Sequence, residues 1–224
     1  MPPGTITDKY EFVAIHMAAA HNVFITGINA IVRHAPNVPP NKVKPFMVFC
    51  LTVLDTIHHH HHIEETFYFP KLEEKLGVGT LSRNYEEHAE FVPQLDELQA
   101  YLKTVQNGEA QYDGTLIVER IHSFSDTMIL HLGHEIPTLE ASHLKAVFTE
   151  KELDNIDSQV MKIAMKSIDF YTSLPLGLVC ANTATPWFPP FPLPIKLAAR
   201  YWFSRRHSEA WEFGPLDLSG NPRR

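Results

Sequence analysis

Four apolar stripes with helical spacing each contain a histidine, and two of them add a glutamate four residues later. Steps of three and four residues place each set on one face of a helix. Unpaired charge is expensive to bury, so the pattern predicts a helical core whose polar groups are compensated by bound metal. The stripes are Met17-His21-Phe24-Ile28, Leu51-Leu54-His58-His61-Glu65-Tyr68-Leu72, His88-Phe91-Leu95-Leu98-Leu102 and Ile117-Ile121-Phe124-Met128-His131-Glu135.

Helix start and stop signals divide the chain into five predicted helices. Asp8-x-x-Glu11 and Thr149-x-x-Glu152 have the spacing of capping boxes, and Pro45 suits a first helical turn. Pro70 is expected to kink the second helix just after its His-x-x-x-Glu pair, and Pro137 follows the second such pair in the same way. We predict helices over about 8–33, 45–77, 81–105, 115–144 and 149–171.

These helices predict an all-α fold, an antiparallel up-down four-helix bundle over residues 8–145. The helix at 149–172 is expected to pack on the bundle as an additional element. Residues 174–224 form a proline- and aromatic-rich extension, whose centre is Thr185–Pro194. We expect this extension to cover one end of the bundle, and the alternative is an anchor at a membrane surface.

Composition excludes several classes of protein. The formal charge of −7 provides no basic patch for nucleic acid. Cys50 and Cys180 lack CxxC spacing, and Cys50 falls in a predicted helix, so we expect a buried free thiol. Residues 1–5 contain no apolar leader, and no run approaches the ~18 apolar residues of a membrane span. We predict a cytoplasmic protein with no transmembrane segment.

The stripes also predict which side chains bind metal. The run of five histidines from His58 to His62 is internal and in register with an apolar stripe, so it is not an affinity tag. A competing register pairs His60 with Glu64, which are also four residues apart, while His59 is expected to face outward. His58, His134 and Tyr68 are candidates to support or replace a ligand. The predicted ligands are His21, His61, Glu65, His88, His131 and Glu135.

The residue types indicate which metal is bound. A histidine and a carboxylate four residues apart stand about 5–6 Å apart at Cβ, close enough to serve one metal cluster. Four-helix bundles build dinuclear carboxylate sites in this way. Imidazole with carboxylate suits iron, manganese or zinc, and the nitrogen-rich set favours iron.

Two segments resemble the motifs of the hemerythrin-like HHE family. They are His60-His61-His62-Ile63-Glu64-Glu65-Thr66-Phe67-Tyr68-Phe69-Pro70 and His131-Leu132-Gly133-His134-Glu135-Ile136-Pro137. His21-Asn22 and Glu87-His88 are similar to the two remaining family positions, so the resemblance covers about residues 8–145. The tail at Trp211–Pro215 is similar to that of fungal relatives.

This resemblance implies two iron ions, Fe2+ or Fe3+, joined by two carboxylates and an oxo or hydroxo bridge, with O2 as a partner. Val92 stands where oxygen-carrying hemerythrins have a further histidine. Four histidines would leave about two coordination positions open on two six-coordinate irons, which favours activation of O2, or loose exchange of iron, over simple carriage. His58 or His134 is an alternative ligand that would fill this gap.

Three functions are therefore compatible with the sequence. The first is a diiron protein that binds O2 or iron without turnover, for sensing, storage or protection. The second is a diiron oxidase or oxygenase that acts on a small organic molecule, in a pocket where the extension meets the bundle. The third is a structural metal bundle, for example with zinc. No catalytic residue is assigned.

Overall fold

A computed structural model of the protein describes residues 8–223. The expectation that residues 1–5 contain no apolar leader concerns residues outside this range, and Arg224 also lies outside it. All regular elements of the described chain are helical. The α-helices are α1 Lys9–His34, α2 Val43–Ile63, α3 Phe69–Leu76, α4 Ser82–Asn107, α5 Gly114–Thr138, α6 Ala141–Val147, α7 Glu150–Ser167, α8 Ser173–Val179 and α9 Leu193–Tyr201.

Local chemistry explains where the helices begin and end. The Asp8 carboxylate accepts hydrogen bonds from the backbone amides of Tyr10 and Glu11, which caps α1 without the reciprocal half of a capping box. Thr149 and Glu152 form the complete box that opens α7. Gly108 ends α4 in the left-handed region with φ 78°, which glycine adopts without a Cβ clash.

The four long helices, α1, α2, α4 and α5, form the bundle, with α2 beside α1 and α4, and α5 beside α1 and α4. Their facing sides bury a continuous apolar core that includes Phe46, Leu54, Leu95 and Ile121, each 0% exposed. The prediction of an all-α fold built on a four-helix bundle is confirmed.

Two helix boundaries differ from the sequence prediction. The second predicted helix is interrupted by one turn of π-helix, Glu64–Tyr68, before α3 continues from Phe69. The fourth ends at Thr138 because Glu140 is extended, and α6 then forms a separate short helix. Pro137 lies in the last turn of α5, so its missing amide weakens the helix where it stops.

The C-terminal extension packs over the bundle. Trp211 is buried and its indole N–H donates to the Ser204 carbonyl, and the Phe213 ring lies 4.8 Å from that of Phe46. At the other side of the extension, Phe188 contacts His16 of α1 with ring centroids 5.2 Å apart. The exception is α9, whose apolar side chains Leu193, Leu197, Tyr201 and the following Trp202 remain exposed.

Cys50 and Cys180 are both buried and free, which confirms the expectation for Cys50. One segment, Lys9–Asn37, is by length and composition apolar enough to cross a membrane, although half of its most apolar window is buried inside the bundle. A core helix of a globular protein has the same properties, so this is weak support for a membrane span.

Candidate metal centre

Nitrogen and oxygen donors from all four bundle helices converge in the core. They form two adjacent groups, in each of which the donor atoms lie within 4.8 Å of one another. The first group contains only histidines and the second combines histidines with carboxylates. The groups are His61, His88 and His131, and His21, His60, Glu64 and Glu135.

In the first group, hydrogen bonds define which ring nitrogens are free. The Nδ1–H of His88 donates to Glu65 at 2.8 Å, and the Nδ1–H of His131 donates to Glu87 at 3.3 Å. Since a neutral imidazole carries one proton, both Nε2 atoms keep lone pairs. These two Nε2 atoms face each other only 2.9 Å apart, with the His61 ring 4.4 Å from that of His88. Two lone pairs at this distance repel unless a cation lies between them.

The second group shows the same conflict. The Nδ1–H of His21 donates to the backbone carbonyl of Leu132 at 3.2 Å, so a neutral His21 ring has a lone pair at Nε2. That lone pair lies 3.1 Å from a carboxylate oxygen of Glu135. The Nε2 of His60 lies 2.8 Å from Glu64.

The two carboxylates connect the groups. One oxygen of Glu64 lies beside His60, and the other lies 3.8 Å from the Nε2 of His88. Glu135 similarly lies 3.1 Å from His21 and 4.0 Å from the Nε2 of His131. Each carboxylate is therefore placed between a member of one group and a member of the other.

Burial sets the protonation of these side chains. It lowers the pKa of His60, His88 and His131 to about 4, so the three imidazoles are neutral at neutral pH. Burial and the neighbouring Glu135 raise the pKa of Glu64 well above its ordinary value. Burial also acts to raise the pKa of Glu135, but the neighbouring imidazoles of His21, His60 and His131 together outweigh it and hold that pKa low.

The residues present fit a metal centre. Both oxygens of Glu64, both oxygens of Glu135 and both ring nitrogens of His61 are buried without a hydrogen-bond partner, as is the Nε2 of His21. Such orphaned polar atoms are rare in a protein core because each costs free energy. Neutral imidazoles with carboxylates are the donors that iron, manganese and zinc accept.

The structure brings most of the predicted ligands together, but not Glu65. That side chain is 41% exposed and instead accepts the hydrogen bond from His88. Glu64 lies inside the core instead and pairs with His60. This is the competing register, in which His60 and Glu64 are the pair four residues apart. The π turn explains the difference, because Glu64 begins it and is followed by a wider turn than an ideal helix has. The predicted ligands that converge are His21, His61, His88, His131 and Glu135.

The side chains predicted to support or replace a ligand make other contacts. His58 lies 3.3 Å from Asp96 of α4 and belongs to neither donor group. The Nδ1 of His134 lies 2.8 Å from Glu87 and 2.6 Å from the Arg83 guanidinium, so His134 lies beside the partner of His131. Tyr68 is buried beside Glu64. His59 was expected to face outward, but it contacts Ser167 of α7 at 2.5 Å.

Two contributors were not predicted. Glu87 directly precedes His88 in sequence, and its carboxylate reaches His131 on the neighbouring helix. The Leu132 carbonyl, one residue after His131, orients His21. Both contacts depend on how α4 and α1 pack against α5, which periodicity within one helix does not reveal.

A cavity of about 530 Å³ opens beside the second group. His60 and Glu64 form part of its wall, α1 and α7 form its sides, and Phe188–Phe191 of the extension close over it. Most of the other side chains in the wall are apolar. A small molecule in this cavity would lie directly against the metal-binding side chains.

Comparison with known proteins places the chain in a family. The hemerythrin HHE cation-binding domain matches residues 15–136. A curated relative, the dimeric xanthone biosynthesis cluster protein R11 of Cryptosporiopsis sp. (strain 8999), is 31% identical over 226 residues, 95% of this chain and 81% of the relative. No solved structure matches the chain. The chain therefore belongs to the hemerythrin HHE cation-binding family, as an all-helical metal-binding protein.

Proposed function

We propose that this protein holds two iron ions, one at each donor group, and uses O2 to oxidise a small organic molecule in the adjacent cavity. The observation that carries the proposal is that the cavity wall includes His60 and Glu64, so the metal centre and the cavity share side chains. Substrate sites are commonly large apolar cavities with a few convergent polar groups.

Seven side chains would hold the metal. His61, His88 and His131 would bind one ion, His21 and His60 the other, and Glu64 and Glu135 would bridge them. Five histidines and two bridging carboxylates, together with a bridging oxygen, would leave about one of the roughly twelve positions of two six-coordinate ions open. With His60 as a fifth histidine, this ligand set would leave fewer open positions than the four histidines counted from Val92.

When bound, the iron pair would supply electrons to O2 and so provide the oxidising power. The side chains of the protein position the substrate and handle its proton. The apolar cavity wall holds the substrate against His60 and Glu64, and a bound substrate displaces water from that wall. Tyr68 lies on the same wall, next to Glu64, where its hydroxyl can hold or pass a proton.

The relative supports a biosynthetic role. Its name assigns it to the biosynthesis cluster of a dimeric xanthone, and it aligns with nearly the whole of this chain, including the extension that closes the cavity. We propose that this chain likewise acts in the biosynthesis of a small molecule, in the cytoplasm.

O2 consumption tests this proposal. Anaerobically reduced, iron-loaded protein is mixed with O2 in the presence and absence of candidate aromatic metabolites, and O2 uptake and products are measured. Uptake that is accelerated by one compound, with stoichiometric formation of its oxidised product, is expected. If no compound accelerates uptake and none is oxidised, the enzymatic function is wrong.

A second function, reversible O2 binding, is favoured by the fifth histidine, His60, because fewer open positions suit binding without turnover. The same reduced protein would then change its optical spectrum in air and regain the starting spectrum under argon over repeated cycles. The oxidase proposal expects this recovery to fail once substrate is present.

A further inference from the structure

The cavity beside the metal centre is surrounded by aromatic rings. Phe12 and His16 of α1 have ring centroids 5.3 Å apart, and Phe188 lies almost perpendicular to His16 at 5.2 Å. Phe24 lies 4.8 Å from the His60 ring. The rings in the cavity wall are Phe12, His16, Phe24, His60, Tyr68, Phe188 and Phe191.

These rings form an uncharged surface. Burial lowers the pKa of His16 to about 4, so its imidazole is neutral at neutral pH. Trp187 supports this wall from behind, 5.7 Å from Phe12 and stacked on His16 at 6.2 Å. Aromatic pairs prefer offset-stacked or edge-to-face geometry, so such a wall favours a flat aromatic ligand.

Asp157 of α7 adds a carboxylate to the wall, near Tyr68. Within the described part of the chain, no group donates a hydrogen bond to this carboxylate. Burial raises its pKa to about 6. The nearby Lys9 already forms an ion pair with Asp154, one helical turn earlier and more exposed. Asp157 therefore offers an unused acceptor inside an apolar cavity.

The charges around the cavity favour a neutral ligand. An anion would meet the carboxylate of Asp157, and a cation would meet Lys9. Either charge would also lose its hydration in a mostly apolar space, which is costly without a dedicated partner. A neutral hydroxyl group loses little hydration free energy, and it can donate a hydrogen bond to the carboxylate of Asp157.

We propose that the substrate is a neutral, hydroxylated aromatic molecule, which packs against Phe12, His16 and Phe188 and donates a hydrogen bond from its hydroxyl to Asp157. The cavity volume of about 530 Å³ lies within the range of sites for small organic ligands. This assignment rests on the proposed function, since it names the molecule that would be oxidised.

A matched set of probes tests the assignment. Dibenzofuran, 2-hydroxydibenzofuran, dibenzofuran-2-carboxylate and 2-aminomethyldibenzofuran are titrated into the full chain at pH 7 under argon, so that no oxidation occurs. Binding is followed by calorimetry and by quenching of Trp187, with Trp187→Phe identifying that signal. The hydroxylated probe is expected to bind roughly tenfold more tightly than dibenzofuran, and both charged probes more weakly than dibenzofuran.

Variants then test the acceptor. Asp157→Leu removes the carboxylate at similar volume and is expected to abolish the preference for the hydroxylated probe, leaving dibenzofuran binding within about twofold. Asn155→Leu, an exposed position on the same helix outside the cavity wall, is expected to keep the preference. The assignment is overturned if the wild-type protein binds the two neutral probes equally, if either charged probe binds most tightly, or if Asp157→Leu retains the preference.

Failure of this assignment is distinguishable from failure of the proposed function. Probe binding needs neither O2 nor turnover, and the iron content of each sample is measured separately. A protein that prefers the hydroxylated probe but takes up no iron, or oxidises no compound once loaded with iron, would contradict the oxidase proposal alone. An iron-loaded oxidase without this preference would contradict the substrate assignment alone.

Discussion

Glu65 and Glu87 hold two histidines of the first donor group by their Nδ1–H groups, and the Leu132 carbonyl does the same for His21. Metal-binding histidines commonly donate their second N–H in this way, which fixes the tautomer and the ring orientation. At the residue scale, these contacts separate side chains that bind the metal from side chains that only position a ligand.

The two adjacent glutamates give a direct test of that distinction. Glu64→Gln replaces a proposed bridging oxygen, so we expect most bound iron to be lost. Glu65→Gln only weakens the support of His88, and we expect iron to remain at full stoichiometry with affinity reduced about 10- to 100-fold. Elemental analysis and chelator competition measure both. The opposite result would restore Glu65 as the ligand.

His60 is tested in the same manner. We expect His60→Ala to lower bound iron, because its Nε2 belongs to the second group. His62, two residues later and exposed, provides the matched control, and His62→Ala should retain the wild-type iron content. Equal iron in the two variants would show that the fifth histidine is not a ligand.

At the element scale, the π turn sets the limit of what the sequence could predict. The spacing of apolar residues predicted all four bundle helices. It also predicted that His21, His88, His131 and Glu135 lie on buried faces, as they do. It could not choose between Glu64 and Glu65, since both lie four residues after a histidine in an ideal helix. The choice depends on a wider turn that starts at Glu64 and ends before Pro70.

The contact between α1 and α2 depends on a glycine. A Cβ on Gly27 would lie 2.9 Å from both methyl groups of Val53, so the helices approach closely there. We expect Gly27→Ala to destabilise the fold by about 1–3 kcal/mol through overpacking. A thermal midpoint lower by several degrees would show this.

Gly133 of α5 is the control for that substitution. It is exposed, and a Cβ there would meet nothing within 4 Å. Gly133→Ala should raise stability by about 0.5–1 kcal/mol, because alanine is the better helix former. If both variants shifted the thermal midpoint equally, the close approach at Gly27 would not be the cause.

At the scale of the whole molecule, the metal centre connects all four bundle helices, since α1, α2, α4 and α5 each contribute donors. A metal that binds only the folded state stabilises it by mass action. We therefore expect chelation to lower the thermal midpoint, and iron or zinc to restore it.

The metal-free protein should lose stability as the pH falls from about 6.5 to about 4. In the folded state the pKa values of His16, His60, His88 and His131 are about 4, so the unfolded chain takes up protons that the native state excludes. Asp157, with its pKa raised to about 6, and Glu64 act in the opposite sense but are fewer.

Thermal melts of chelated protein across this pH range measure the effect. The expected result is a midpoint that falls continuously as the pH is lowered through the window. A midpoint that stays constant or rises between pH 6.5 and 4 would show that these histidines are not buried in their neutral form. The thermal midpoint of metal-loaded protein should be higher at pH 6.5 and fall more steeply as the pH is lowered, since protons then compete with the metal for the imidazoles.

Anomalous diffraction at the iron edge tests the central claim most directly. The account predicts two anomalous peaks in the bundle core, one among His61, His88 and His131 and the other among His21, His60, Glu64 and Glu135. Crystals of iron-replete protein that show no peak there, or a peak at Glu65 instead of between the two groups, would contradict it.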